Sequence, residues 1–293
     1  MPRPLVLARH IKIVAFLAFA LLGVDAAARQ GNLPYSLAHH YKVGINLPVE
    51  ELRAIDAFSR RTQLDERARS GEPHTKRLRI AEDNPVSISP ERNGVWETLG
   101  DASRLWRVRM RAAGATDLRL GFAHFALPEG ATLHVIGVDD IYQGPYTASD
   151  AADANFNSPA IPGDTATVEL HLPADAVFTP GMLQLSRVGI GFRDLFRREK
   201  SSDPGPGAAG ACNINVVCPL GQSYPNEVRA VGYYEYVADD DHDSYLCSGT
   251  LLADVPRDHR NYFITAAHCA GTPTEAASMV VYWNYESTQC AAL

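Results

Sequence analysis

The sequence predicts a mainly β protein built from a sandwich-like module and a smaller, cysteine-bearing β module behind it. Three observations predict this. Beyond Trp96, several short runs alternate apolar and polar residues at a period of two, as half-buried strands do. Gly- and Pro-containing turn signals separate those runs. All five cysteines (Cys212, Cys218, Cys247, Cys269 and Cys290) lie in the last third of the chain.

Size and composition set the frame. With 293 residues the chain is long enough for two compact domains, and its apolar fraction of 46% is ordinary for globular protein. A net charge of −7, with no basic stripe, argues against nucleic acid as a partner. At the N-terminus, Arg3, Arg9 and Lys12 precede an apolar run from Ile13 to Val24, which ends in Ala26-Ala27-Ala28. A basic start, a short apolar run and small residues at its end make a secretory signal over residues 1–28. The run falls well short of the roughly 20 residues that span a bilayer. The protein is therefore expected to be exported and secreted, with no membrane span once the signal is removed.

Between Pro48 and Ser70, Val49, Leu52, Ile55 and Phe58 fall at helical spacing among many charges, which predicts a short amphipathic helix. Strands are predicted next at Trp106–Met110, Leu118–Phe125, Val168–Leu172 and Leu183–Phe192. The turns between them are marked by Ala113-Gly114, Pro128-Glu129-Gly130 and Ile161-Pro162-Gly163-Asp164. Short strands so punctuated make a β-sandwich or jelly roll. The module shows no chemistry of its own. His124, His134 and His171 lack metal-ligand spacing, no H-E-x-x-H occurs, and Trp96 and Trp106 read as core residues rather than a sugar platform.

Arg197-Arg198-Glu199-Lys200 and the Pro/Gly/Ser-rich stretch 201–210 then form a charged, cleavable linker immediately ahead of the first cysteine. In an exported protein, clustered cysteines are a disulfide framework. Zinc is disfavoured because neither C-x-x-C nor H-x-x-x-H spacing is present. Five is an odd count, so one cysteine lacks a partner within the chain.

After the linker, strands are predicted at Val228–Val237, Leu246–Leu252 and Tyr262–Ala266, the last two as a hairpin joined by Ala253–Asn261. The alternating acids of Asp239–Asp243 lack the glycine and distal glutamate of a calcium loop, and are expected to form a solvated hairpin turn. Tyr282, Trp283 and Tyr285 are expected to pack within a barrel.

The segment Cys247-Ser248-Gly249-Thr250-Leu251-Leu252, followed by Phe263-Ile264-Thr265-Ala266-Ala267-His268-Cys269, resembles the surroundings of the catalytic histidine in trypsin-like serine proteases of the chymotrypsin fold. Cys212–Pro219 (CNINVVCP) and Ala277–Tyr285 (ASMVVYWNY) resemble stretches of bacterial lysyl endopeptidases, secreted proteases that cut after lysine. The match covers about Ala211 to Cys290. The resemblance implies that His268 is a general base, taking the proton of a nucleophilic serine and returning it to the leaving amine. It also implies disulfides Cys247–Cys269 and Cys218–Cys290, with Cys212 pairing beyond this sequence.

The fold class expected is then mainly β: a β-sandwich-like pro-region (29–200), a linker (201–210) and an incomplete chymotrypsin-type β-barrel (211–293). No cofactor and no metal are implied; the partners are protein or peptide substrates and the chain's own pro-region. Neither the family's D-F-x-L-L-E-L-like aspartate strand nor its serine motif occurs in these residues. Ser248 matches a strand position and Ser223 lies in no G-x-S-x-G frame, so the chain as it stands is expected to be a truncated, inactive precursor. The competing reading is a secreted, non-catalytic binding or scaffold protein that keeps a degenerate protease module. An unfinished barrel leaves an open sheet edge, so residues 211–293 alone are expected to fold poorly.

Overall fold

The computed structural model describes residues 31–39, 47–70, 77–150, 155–195, 216–253, 260–286 and 290. The expected signal (1–28) and linker (201–210), and Cys212, lie outside the described residues. Helix α1 (Tyr35–Ala38), strand β1 (Val49–Glu51) and helix α2 (Ala57–Arg69) come first. The helix expected from Pro48 starts nine residues later. The Leu52 N–H instead donates to the Arg111 carbonyl (2.8 Å) and the Ile55 N–H to that of Ala113 (2.9 Å), which continues the run begun by β1. Leu52 and Ile55 pack on the core, so their helical spacing came from an edge segment. Asp56 then starts α2 by accepting the Ser59 N–H at 3.0 Å.

Ten strands complete the first module: β2 (Leu78–Ile88), β3 (Val95–Thr98), β4 (Arg104–Arg111), β5 (Asp117–Phe125), β6 (Thr132–Ile136), β7 (Tyr142–Tyr146), β8 (Phe156–Asn157), β9 (Ile161–Pro162), β10 (Thr165–Leu172) and β11 (Leu183–Gly191). One sheet has the order β1-β4-β10-β6-β7, with β3 added to β4. The facing sheet includes β2-β11-β5-β8, with β9 added to β5. Between them lie Trp106, Val108 and Met110 of β4 and Val168 and Leu170 of β10, against Leu118 and Leu120 of β5 and Val188 and Ile190 of β11. Each such side chain contributes about 1.5–3 kcal/mol on leaving water. The register sets Val168 opposite Val108 and Leu170 opposite Trp106, so the period-two pattern delivers one face of each strand to the core. Gly114 (φ +84°) turns the chain between β4 and β5 where a Cβ would lie 2.1 Å from the Ile55 carbonyl oxygen. Trp106 is buried as expected, but Trp96 is 37% exposed. It packs against Phe178 under the Arg104 guanidinium, because β3 lies at the margin of its sheet.

The second module holds helix α3 (Pro225–Ala230), strands β12 (Val231–Val237), β13 (Ser244–Leu252) and β14 (Tyr262–Thr265), helix α4 (Pro273–Ala277) and strand β15 (Val280–Trp283). Residues 228–230, expected to begin a strand, close a helical turn that Pro225 opens at its first position. β12 pairs antiparallel with both β13 and β15, and β13 with β14. The protein is mainly β, with a nearly closed barrel consistent with a chymotrypsin-like fold.

On the β13 side the barrel strands do not stop at an open edge, whereas β15 ends the sheet on the other side. β13 also pairs antiparallel with β2, through Ser244↔Ala81, Tyr245↔Arg79 and Leu246↔Leu78. One nine-stranded sheet thus runs from β15 through β13 and β2 to β8. Among the described residues no helix is long and apolar enough to cross a membrane.

Candidate active site

His268 sits in the turn that follows β14, and its side chain is exposed. The local sequence builds that turn from several directions. Gly249 of β13 allows the Phe263 ring to lie across the strand, since a Cβ there would be 2.3 Å from a ring carbon. Phe263 joins Tyr234, Tyr236, Tyr245, Cys247 and Cys269 in the small core beneath the turn. Thr265 closes β14 onto β13 by donating its hydroxyl to the Ser248 carbonyl at 2.9 Å, and it lies 2.7 Å from the Tyr234 hydroxyl. The Cys269 N–H donates to the Ala266 carbonyl (2.9 Å), folding the backbone tightly around His268.

Cys269 is buried and forms a disulfide with Cys247, across a Cα–Cα distance of 6.3 Å. Cys218 and Cys290 form a second disulfide, with Cα atoms 4.7 Å apart. A covalent bridge therefore ties the residue next to His268 to the neighbouring strand. A few residues further along the chain stands a group that no sequence motif singled out. The buried Glu275 carboxylate accepts the Gly271 N–H (2.8 Å) and the Thr272 N–H (3.2 Å) through one oxygen, and the Asp239 N–H (3.2 Å) through the other. Thr272 returns the favour by accepting the Glu275 N–H, which completes a capping box. The signal was present as Thr272-Pro273-Thr274-Glu275, the T-x-x-E spacing with proline at the first helical position. The chain after His268 is thus tied by a disulfide at Cys269 and by the Glu275 carboxylate at Gly271 and Thr272. Among the described residues, none is hydrogen-bonded to its ring.

The other candidate residues fall elsewhere. Ser248 lies in β13 and Ser223 at the end of the turn Pro219–Ser223, and neither accompanies His268 in a bonded pair. The Asp239–Asp243 loop, expected to be a solvated hairpin turn, joins β12 to β13 with residues 239–242 exposed, but its last residue, Asp243, is buried. Asp240 pairs with Arg77 at 2.7 Å, and buried Asp243 accepts the Asp83 N–H at 2.7 Å and pairs with Arg79. The cause is β2, which runs alongside and brings arginines that no local pattern announces. Trp283 packs edge-on against Phe263, whereas the Tyr282 hydroxyl donates to Glu235 (2.9 Å) and accepts the Ala160 N–H (2.9 Å) at the junction of the modules. His134 contacts the Asn32 carbonyl oxygen at 3.0 Å and His171 the Ser103 hydroxyl at 3.1 Å. Among the described residues, no three His, Cys, Asp or Glu side chains converge as metal ligands.

The family model for "Lysyl endopeptidase, C-terminal domain" matches residues 206–293, and that for "Lysyl endopeptidase N-terminal domain" matches residues 52–188. The chain belongs to the lysyl endopeptidase family. A curated relative, "Lysyl endopeptidase" of Pseudomonas aeruginosa, is 34% identical over 208 residues, covering 67% of this chain and 43% of that protein. The chain therefore spans less than half the length of the relative it matches. For this lysyl endopeptidase family member, the first matched segment holds most of the sandwich core, and the second holds the His268 turn and both disulfides.

Proposed function

We propose that the chain is the precursor portion of a secreted serine endopeptidase that hydrolyses peptide bonds after lysine, with His268 as its general base. The observation that carries this reading is the exposed imidazole on a turn braced by the Cys247–Cys269 disulfide, in a chain of the lysyl endopeptidase family. A serine hydroxyl is a weak nucleophile at neutral pH. An imidazole held within hydrogen-bond reach takes its proton as Oγ attacks the carbonyl carbon, then delivers that proton to the departing amine. Water repeats the sequence on the acyl-enzyme. Rigid presentation matters because the ring must meet the serine on one side and an orienting carboxylate on the other.

In this reading residues 1–28 are the export signal, 29–200 the pro-region, 201–210 the linker and 211–293 the first part of the protease domain. The orienting aspartate, the nucleophilic serine and the lysine-selecting pocket come from the part of the family's domain outside residues 211–293. Residues 1–293 by themselves do not hydrolyse peptides. Processing after Lys200 suits an enzyme that recognises lysine, with Arg197 and Arg198 as the competing sites.

The test is labelling of the full-length protein with a serine-directed fluorophosphonate. Labelling is expected for the native sequence, none for His268→Ala, and none for residues 1–293 alone. Labelling that persists in His268→Ala would remove the histidine from the reaction.

A further inference from the structure

We propose that the folded parts of this protein are cleared of the one residue its own activity recognises, so that they resist self-digestion even where the chain is exposed. The inference rests on the reading of the protein as an endopeptidase that cuts after lysine, and concerns that activity towards its own chain.

Lysine occurs at four positions, Lys12, Lys42, Lys76 and Lys200, against twenty-three arginines. None of the four lies among the described residues, and residues 201–293 contain no lysine at all. Every long cationic side chain in the described helices, strands and turns is therefore an arginine. Inside the fold, geometry accounts for the choice. Arg119 divides its guanidinium between Asp117 and Glu235. Arg193 donates from Nε to the Arg79 carbonyl (2.8 Å) and from Nη2 to Asp65 (2.5 Å). A planar guanidinium spans two acceptors in this way, whereas an ammonium has no such fork. On the surface, geometry does not account for it. Arg67 and Arg69 in the last turn of α2, and Arg229 in the last turn of α3, are exposed. Lysine forms helix as readily as arginine and suits a helix C-terminus equally well. It is absent there too.

What lysine would do at such places follows from how a folded chain is cut. A bond is hydrolysed at a rate set by how often its segment opens and by how well the protease accepts the residue before the bond. Exposed turns and helix ends open at almost no free-energy cost, so folding alone gives them little protection. Arg92 stands in the turn after β2, where it donates to Ser87 Oγ (3.1 Å) and Gln184 Oε1 (3.3 Å). Arg260 lies just before β14. Both are exposed. With arginine at these positions the second factor suppresses cutting; with lysine neither factor does. Beyond residues 1–28, only the bonds after Lys42, Lys76 and Lys200 then carry the residue that the activity recognises.

The experiment follows self-digestion of the full-length protein, native or carrying Arg92→Lys or Arg260→Lys, with new chain ends mapped by mass spectrometry. Gels are run reduced, because the Cys247–Cys269 disulfide spans position 260 and holds a cut chain together. A reporter peptide with one lysine and one arginine records the activity of each sample separately. The native protein is expected to gain no new end within its described residues. Each lysine variant is expected to be cut after its new lysine, with a half-life shortened about tenfold or more and reporter cleavage unchanged. Arg92→Met loses the same contacts without gaining a lysine, and is expected to last as long as the native protein. Lysine variants as long-lived as the native protein, with the reporter cut after lysine, would overturn the inference and leave the catalytic reading standing. A reporter cut without preference for lysine would overturn that reading and the inference with it.

Discussion

Arg119 of the sandwich and Glu235 of the protease segment meet at 2.5 Å in the interior, and Asp117 holds the same guanidinium from its other side. A single buried cation thus serves one carboxylate from each module. Removing it leaves two carboxylates without their shared counter-charge. Arg119→Met is expected to destabilise the protein by about 3–5 kcal/mol, measured by chemical denaturation. A loss under about 1 kcal/mol would mean that the pair is effectively solvated.

Asp117 also carries a pH signature. Burial pushes its carboxyl up to about 6 from an ordinary 3.8, with Arg119 pulling the other way. The folded protein therefore holds that proton at pH values where the unfolded chain has lost it. The contribution of Asp117 to stability is fully present below about pH 3.8 and falls as pH rises towards 6. Relative to Asp117→Asn, the native protein is expected to lose stability between these values and to run parallel above them, as followed by urea midpoints at each pH. A difference that grows with pH would contradict the sign.

Gly191 supports the same cluster sterically. A Cβ at this position would lie 2.2 Å from an Asp117 carboxylate oxygen. Gly191→Ala is expected to displace Asp117 from Arg119 and to cost about 1–3 kcal/mol in thermal or chemical denaturation, although glycine to alanine in a strand is otherwise favourable.

The strands of the sandwich core were legible in the sequence because each carries a period-two apolar face, as β4 and β10 do. The His268 turn was legible because its motif is local and continuous. β2 was not. Its central residues Glu82-Asp83-Asn84-Pro85 carry no apolar alternation, and only their tertiary partners explain them. Glu82 meets Arg53 and Arg60, and Asp83 meets Arg187. Pro85 is tolerated because the pairing with β13 ends at Ala81, so its missing N–H faces no strand on that side. The contact between the modules was invisible for the same reason: Arg119 and Glu235 are 116 residues apart, and neither stands out in its own strand.

The disulfide beside His268 closes a span of 22 residues. Replacing Cys247 and Cys269 together by alanine is expected to destabilise the protein by about 3 kcal/mol, because the unfolded chain regains that loop's freedom. Urea denaturation of the double variant measures it, and an unchanged midpoint would show that the bridge adds nothing to the packing around Phe263.

An isolated fragment of residues 211–293 loses β2 from the edge of β13 and leaves Glu235 without Arg119. It is expected to show no cooperative thermal transition, whereas the two-module chain melts sharply. A cooperative melt of the isolated fragment would show that the protease segment does not depend on the sandwich.

The most direct test of the central claim is mass-spectrometric mapping of the bonds that the full-length protein cuts in a denatured substrate protein. The account predicts cleavage after lysine and no products from His268→Ala. Cleavage without lysine preference, or undiminished products from His268→Ala, would contradict it.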